Sequence, residues 1–490
     1  MLLHRSSTSR TVEKKDDQLD YSDLITEQCA CCCSPDLSST RMFTGKPTFR
    51  SNLMLAVLIL IPAVCSGFHA AGFSRQSSGY VINSPDLSYQ KSLSSSSSST
   101  SIRSSVSSDD KASGSKVVPI ASGMFSNQPP ISSERKTFKR FMEVELWRKP
   151  ELENLYPVLC SIEHACRDIN RLMRRVSTDN LSGYNGGVEG AKGSVNIQGE
   201  DQKKLDVIAN RIMKTSLCCS GKVSIVASEE DEEPCLCSAV TDNVAFNGEY
   251  AAVFDPLDGS SNIDSGLPTG TIFGIYRNPR YGVTDPLSTV KQKGSELVAA
   301  GYCLYSASTH IVMTMNSGLH MFTLDDVTGE FYLTRSNIKM PRSGSLYSFN
   351  DAHAAYWEPG VRYFLNDLKM KRIAGLSASV NAAKKPTARY MGALVADAHN
   401  IILYGGIFGY PGTVEKPKGK LRLLYEANPL GLIMEEAGGM ASNGKGRILD
   451  LVVNDVHQRT PLFIGSITEV TLLEKYQEFF TLPPDETGDN

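Results

Sequence analysis

Phe254-Asp255-Pro256-Leu257-Asp258-Gly259-Ser260-Ser261-Asn262-Ile263-Asp264 is the stretch on which the reading of this chain turns. It closes an apolar run, Tyr250 to Phe254, with two carboxylates three residues apart and then a glycine-serine turn. A strand ending this way presents Asp255 and Asp258 on one loop. Their hard oxygen atoms suit Mg²⁺ or Mn²⁺, whereas zinc favours Cys and His. Gly259-Ser260-Ser261 adds backbone N–H groups and hydroxyls suited to a phosphate, which the same metals would hold. Metals and a phosphate cradle on one turn read as phosphoryl transfer to water. Taken alone, the stretch is also compatible with an acidic surface turn, because Asp-Pro and Asp-Gly are common turn formers.

Two further acidic clusters argue for the site. Lys222 to Ser228 alternates like a strand and runs into Glu229-Glu230-Asp231-Glu232-Glu233. Such a run is usually a solvated, self-repelling face. Here Glu229 and Glu230 sit where strand meets loop, and Asp231, Glu232 and Glu233 are expected to face solvent. A third acid, Glu426, precedes a helix-like stretch over 429–438. By itself it is compatible with an acid favoured in a first helical turn; with the other clusters it reads as a ligand brought from far along the chain.

With these residues goes a wider set of motifs: Gly199-Glu200-Asp201-Gln202-Lys203-Lys204-Leu205-Asp206, Gly270 to Tyr276, Ala388-Arg389-Tyr390, Tyr404 to Pro411, and Gly419 to Glu426. Together they resemble the fructose-1,6-bisphosphatases of the Mg²⁺-dependent, lithium-sensitive sugar- and inositol-phosphatase superfamily, from about residue 135 to about 480. The resemblance implies a layered α/β/α/β/α sandwich of two αβ subdomains, 135–335 with the metal site and 336–485 with the sugar-phosphate site. It implies two or three Mg²⁺ per subunit, replaceable by Mn²⁺, held by Glu229, Glu230, Asp255, the Leu257 carbonyl, Asp258 and Glu426. Asp206 and Glu230 would orient the attacking water and take its proton. Glu200 would be the acid on a mobile loop, although its neighbour Asp201 competes for that place. Gly259, Ser260 and Ser261 would hold the reacting phosphate.

For the other end of the sugar bisphosphate, Asn350, Arg389, Tyr390, Tyr410 and Lys420 match the family's binding positions. A guanidinium fork and an ammonium suit a phosphate dianion, and tyrosine hydroxyls add directed donors. The Arg389 position reaches into a neighbouring subunit's site in the family, which implies an oligomer, expected to be a homotetramer. His353 departs from relatives that carry a tyrosine there.

The net charge of −3 suggests neither nucleic acid nor an anionic membrane as partner. The 490 residues are enough for two domains with a substantial core. Their first 130 or so differ from the rest. The apolar run Leu53 to Cys65, preceded by Lys46 and Arg50, is shorter than the ~20 residues of a membrane span and fits a signal-peptide core. Phe68, Phe73 and a serine-rich tract (Ser92 to Ser108) follow, with the composition of a transit peptide. The order resembles the two-part presequence of algae whose plastids lie inside the endomembrane system. The expectation is a signal peptide over 42–72, a transit-like leader over 73–130, plastid stroma as destination and no membrane anchor in the mature form. Secretion and cytoplasm are the alternatives. Met42 is the expected start, making 1–41 a candidate upstream artefact together with Cys29, Cys31, Cys32 and Cys33, which lack partners at a metal-ligand spacing.

Leu152, Leu155, Val158, Leu159, Ile162, Ala165, Ile169, Leu172 and Val176 recur at helical spacing. The glycine-rich 183–199 is expected to be a mobile loop, and 202–217 a second helix. Strands are expected over 249–255, 270–277, 298–315, 318–324 and 330–334, and a second αβ unit from about 343.

Regulation is where the chain departs from relatives. Animal enzymes bind AMP through a Thr-Gly-Glu-rich helix start and a Lys-Tyr pair; here those positions read Lys149-Pro150-Glu151 and Glu249-Tyr250, which predicts weak or absent AMP inhibition although Arg277 is kept. Plant plastid relatives carry a cysteine-bearing insertion beyond the Gly270–Tyr276 strand, but no cysteine lies between Arg277 and Gly301. A different insertion, Pro234-Cys235-Leu236-Cys237-Ser238, faces Cys218 and Cys219 in sequence. Reduced thiols are expected in a reducing stroma. The alternative is a thioredoxin-linked switch bridging 235 or 237 to 218 or 219. Sedoheptulose-1,7-bisphosphatase activity, alone or dual, is the rival function; a catalytically silent sugar-phosphate sensor is the more distant one. In a plastid the reaction would serve the Calvin cycle, in a cytosol gluconeogenesis.

Overall fold

The computed structural model describes residues 135–179, 181–183, 203–241, 248–278, 286–372 and 385–480. The leader, the cysteines at 29–33, and Glu200 and Asp201 with the glycine-rich loop beyond Gly183 lie outside the described residues. Eight strands form one sheet: β1 (Val223–Ser228), β2 (Cys235–Leu236), β3 (Tyr250–Asp258), β4 (Thr269–Arg277), β5 (Leu297–Tyr305), β6 (His310–Thr314), β7 (His320–Asp325) and β8 (Glu330–Arg335), in the order β2-β1-β3-β4-β5-β6-β7-β8. Only β1 and β3 pair in parallel within it. Five shorter strands make the second sheet: β9 (Leu346–Ser348), β10 (Thr387–Ala388), β11 (Gly406–Tyr410), β12 (Met440–Ser442) and β13 (Leu462–Gly465), ordered β10-β9-β11-β13-β12.

The central strands are apolar on both sides, and period-two alternation divides them between two cores. Tyr250, Ala252 and Phe254 of β3 and Phe273 and Ile275 of β4 enter one core. Ala251, Val253, Ile272 and Tyr276 enter the other. The first is covered by α1 (Phe138–Trp147), α2 (Leu155–Arg174) and α3 (Lys204–Cys219). In α2, Leu155, Val158, Leu159, Ile162, Ala165 and Ile169 are all buried on one stripe, as the helical spacing requires. Burying a side chain such as Phe254 or Phe273 contributes ~1.5–3 kcal/mol each.

Three more helices, α4 (Cys237–Thr241), α5 (Pro286–Val290) and α6 (Pro359–Lys369), precede α7 (Leu394–Tyr404), α8 (Asn428–Glu436) and α9 (Ile467–Phe480). The second core lies between the sheets around α7 and α8, each of which touches strands of both. Helices α6 and α9 pack on each other, with Phe364, Val470 and Leu473 against Ile407 and Phe463 of the small sheet. The layers therefore run helix, sheet, helix, sheet, helix, the sandwich that the resemblance implied.

The elements depart from expectation in places. The run 298–315 is two strands, broken at Ser306-Ala307-Ser308 where β5 turns back into β6. The first helical run is split: Pro150–Leu152 forms a separate short turn, and α2 starts only at Leu155. Helix α3 extends to Cys219, beyond the expected 217.

Candidate active site

Residues three apart on a regular strand point to opposite faces. Asp255 and Asp258 nonetheless line one cavity, because the β3–β4 register shifts between them, a bulge centred on Pro256 and Leu257. Bulges are among the few places where a sheet interior accepts proline. Thr271 Oγ1 donates to the Pro256 carbonyl at 2.8 Å, satisfying an oxygen freed by the bulge. Gly259 then turns the chain with φ +75°, where a Cβ would sit 2.5 Å from that of Ala393. The turn Ser260–Ser265 follows, its first two serines lining the same cavity.

This cavity, about 510 Å³, gathers Asp206, Glu229, Glu230, Asp255, Leu257, Asp258, Gly259, Ser260, Ser261, Tyr390, Tyr410, Lys420 and Glu426. Asp206 comes from the first turn of α3, where its Oδ2 accepts the Lys203 N–H at 2.8 Å. Glu229 and Glu230 follow β1, with the Glu229 N–H bonded to the Phe254 carbonyl at 3.1 Å. Asp258 Oδ2 accepts the Val395 N–H at 2.7 Å, at the positive end of α7. Glu426 lies on a π-helical turn, Leu423–Ala427, ahead of α8. A second cavity of about 460 Å³ shares Tyr410 and Lys420 with the first and adds Asn350, His353, Lys416 and Arg459. Arg389 lines neither; it is exposed at the end of β10, its N–H bonded to the Tyr347 carbonyl.

Burial and mutual repulsion dominate the electrostatics. Burial, then Glu230, pushes Asp206 up to about 8. Burial again, with Glu229, Asp258 and Glu426 alongside, raises Asp255 well above the carboxylate range. Asp258 is raised to about 7 by burial against the opposing pull of the Val395 and Leu394 N–H groups. Glu426 reaches about 8 through burial, although Arg422 draws it down.

In the metal-free protein these folded-state values exceed those of the unfolded chain, about 4. Their stabilising contribution is full below that and is lost as pH rises through 7 to 8. A bound cation holds the ionised forms. The gain in melting temperature on adding Mg²⁺ is therefore expected to grow from about pH 6 to about pH 8.5. Equal gains at both, measured by calorimetry, would contradict this.

The sequence reading missed several groups. Arg422 Nη2 lies 2.7 Å from Glu229 Oε1, and its N–H donates to the Glu426 carboxylate. Its place four residues before Glu426 was the available signal. Asp397, from α7, lines the cavity and accepts from Ser348 Oγ and the Met391 N–H. Lys203 pairs with Asp264. Asp231 is a correction to the expectation of three solvent-facing acids: Asn210 Nδ2 and Lys214 Nζ hold its carboxylate at 3.1 and 2.8 Å, while Glu232 and Glu233 are exposed. Asn210 and Lys214 lie one turn apart on α3, which brings both to the acidic loop.

The cysteines are a second correction. Cys218 and Cys237 form a disulfide, because the end of α3 and the start of α4 pack with Cα atoms 5.0 Å apart. Cys219 and Cys235 lie outside that bond. With 19 residues separating the pair, Cys237→Ser is expected to cost roughly 3 kcal/mol in a denaturant melt under oxidising conditions. No difference from wild type would show that the bond bears no load. Around Glu151 and Glu249, Asn154 Nδ2 donates to Glu249 Oε1 at 2.6 Å and the Arg277 guanidinium donates to the Glu151 carbonyl.

A family profile described as "Fructose-1-6-bisphosphatase, N-terminal domain" matches residues 136–336, and its C-terminal counterpart matches 340–478. The chain is 44% identical over 335 residues to the chloroplastic fructose-1,6-bisphosphatase of Pisum sativum, covering 65% of this chain and 77% of that protein. The chloroplastic fructose-1,6-bisphosphatase 1 of Arabidopsis thaliana is 44% identical over 333 residues, with 65% and 75% covered. Among solved structures, the holo form of Leishmania major fructose-1,6-bisphosphatase superposes with a TM-score of 0.62 at 34% identity, covering 70% of this chain and 99% of that one.

Proposed function

Since the chain belongs to the fructose-1,6-bisphosphatase family and is an enzyme of that kind, we propose that it hydrolyses the 1-phosphate of fructose 1,6-bisphosphate in a Mg²⁺-dependent reaction. The observation that carries this reading is a pair of adjoining cavities, one acidic and one basic, sharing Tyr410 and Lys420. A substrate with a phosphate at each end fits such a pair.

Glu229, Glu230, Asp255, the Leu257 carbonyl, Asp258 and Glu426 would hold two or three Mg²⁺, with Mn²⁺ able to substitute. Bound there, the cations neutralise the phosphate, lower the pKa of a water and stabilise the leaving alkoxide. Asp206 and Glu230 orient the attacking water, and Asp206 takes its proton. The turn Gly259-Ser260-Ser261 holds the reacting phosphate with N–H and hydroxyl donors. Asn350, Tyr390, Tyr410 and Lys420 hold the sugar and the far phosphate. Arg389, exposed just past β10, serves the neighbouring subunit of a homotetramer. The leader, and relatives named as chloroplastic, support a plastid enzyme in the Calvin cycle.

The size of the basic cavity, about 460 Å³, keeps sedoheptulose 1,7-bisphosphate as the second reading. Phosphate release by the purified protein with Mg²⁺ tests both, each substrate with and without dithiothreitol and AMP. The fructose substrate is expected to turn over faster, only with the cation, and with weak or absent inhibition by AMP. Turnover of neither, with the carboxylates intact, would leave the silent sensor. A change in rate on reduction would make Cys218–Cys237 a switch open to thioredoxin.

A further inference from the structure

We propose that His457 is a positioning residue that fixes the metal-binding acids of two distant segments relative to each other, an inference that rests on the metal reading above. Its Nε2 lies 3.0 Å from the Asp231 carbonyl and 3.2 Å from the Glu232 carbonyl. Carbonyls only accept, so Nε2 carries the hydrogen, and Nδ1 shares a hydrogen bond with Tyr425 Oη at 2.8 Å. The Asp231 carbonyl is one residue past Glu230, and Tyr425 immediately precedes Glu426. A single ring, 226 residues from Asp231 in sequence, thus joins the loop bearing Glu229 and Glu230 to the turn bearing Glu426.

The ring is itself held. Val453 and Val456 anchor its loop in the core between the sheets. Asp455 Oδ1 accepts the His457 N–H at 2.8 Å. Just past it the backbone pairs with the segment leading to the turn, Leu423 N–H to the Gln458 carbonyl at 2.7 Å and Thr460 N–H to the Leu421 carbonyl at 2.9 Å. Tyr425, fully buried, packs edge-on to the ring with centroids 5.8 Å apart. The arrangement is one that orients ligands from behind: the histidine lines neither cavity and sets where the carboxylates stand.

The test is the binding of Mn²⁺ to the substrate-free, full-length enzyme, by titration calorimetry, beside steady-state kinetics. His457→Ala is expected to weaken binding, and to raise the Mg²⁺ concentration for half-maximal activity, by about 10- to 100-fold. KM for the sugar bisphosphate at saturating Mg²⁺ is expected to stay within about twofold. His457→Gln, whose amide N–H can reach the same carbonyls, is expected to recover much of the affinity. Unchanged Mn²⁺ binding in His457→Ala overturns the proposal, as does weakened binding that His457→Gln leaves unrecovered. If His457→Ala fails to fold, Tyr425→Phe decides: weaker binding supports the coupling and unchanged binding overturns it. A wild-type enzyme that hydrolyses without divalent cation would instead overturn the metal reading.

Discussion

Asp258→Asn is expected to lower kcat about 10³-fold or more, the scale of losing several kcal/mol of metal-assisted stabilisation. The amide has the carboxylate's shape, and its oxygen can still accept the Val395 N–H, so the β3 bulge has no reason to change. What disappears is one charge from a buried group that includes Glu229, Asp255 and Glu426. Removing it relieves repulsion in the metal-free protein while weakening the proposed cation site. The variant is therefore expected to melt at the same or a higher temperature than wild type in a chelator, yet to be nearly inactive in Mg²⁺. These opposite signs distinguish loss of a ligand from damage to the fold. A variant that melts lower and keeps its activity would remove Asp258 from the ligand set.

Asp206→Asn is the second large effect, but its signature differs. The residue sits on the first turn of α3, and an amide oxygen can still cap the Lys203 N–H. The lost capacity is to take a proton from the attacking water, a role worth ~10²- to 10⁴-fold. The whole loss is expected in kcat, with the Mg²⁺ concentration for half-maximal activity and KM little altered. Burial beside Glu230 is what makes this carboxylate a strong base. A shifted Mg²⁺ curve with kcat retained would instead place Asp206 among the metal ligands.

Much of this was written locally in the chain. The α2 stripe and the double-faced apolar strands β3 and β4 follow from periodicity, and Asp-Pro-Leu-Asp-Gly carries its bulge and its turn in five letters. The layered sandwich came from the family resemblance and is the architecture observed. Long-range pairing was harder to read. Nothing beside Asp231 announces that Asn210 and Lys214 of another element meet it. A run of five acids looks solvated when solvent is the only partner in view. The Cys218–Cys237 bond depended on how α3 and α4 pack, which spacing alone leaves open. Arg422 reads as a spare charge until Glu229 is seen against it.

The contacts that complete the cavity join distant segments: Val395 bonds Asp258 across 137 residues, and Arg422 meets Glu229 from between β11 and β12. On a ribosome the acids at 229–258 emerge long before the arginine that faces them or the helix end that receives Asp258. A half-synthesised chain therefore exposes a cluster of like charges that repels itself and has no assembled cation site. Contacts this distant also form slowly. In a refolding experiment, helix and sheet signals are expected to return first and turnover last, so that the nascent enzyme stays silent until its final hundred residues are in place.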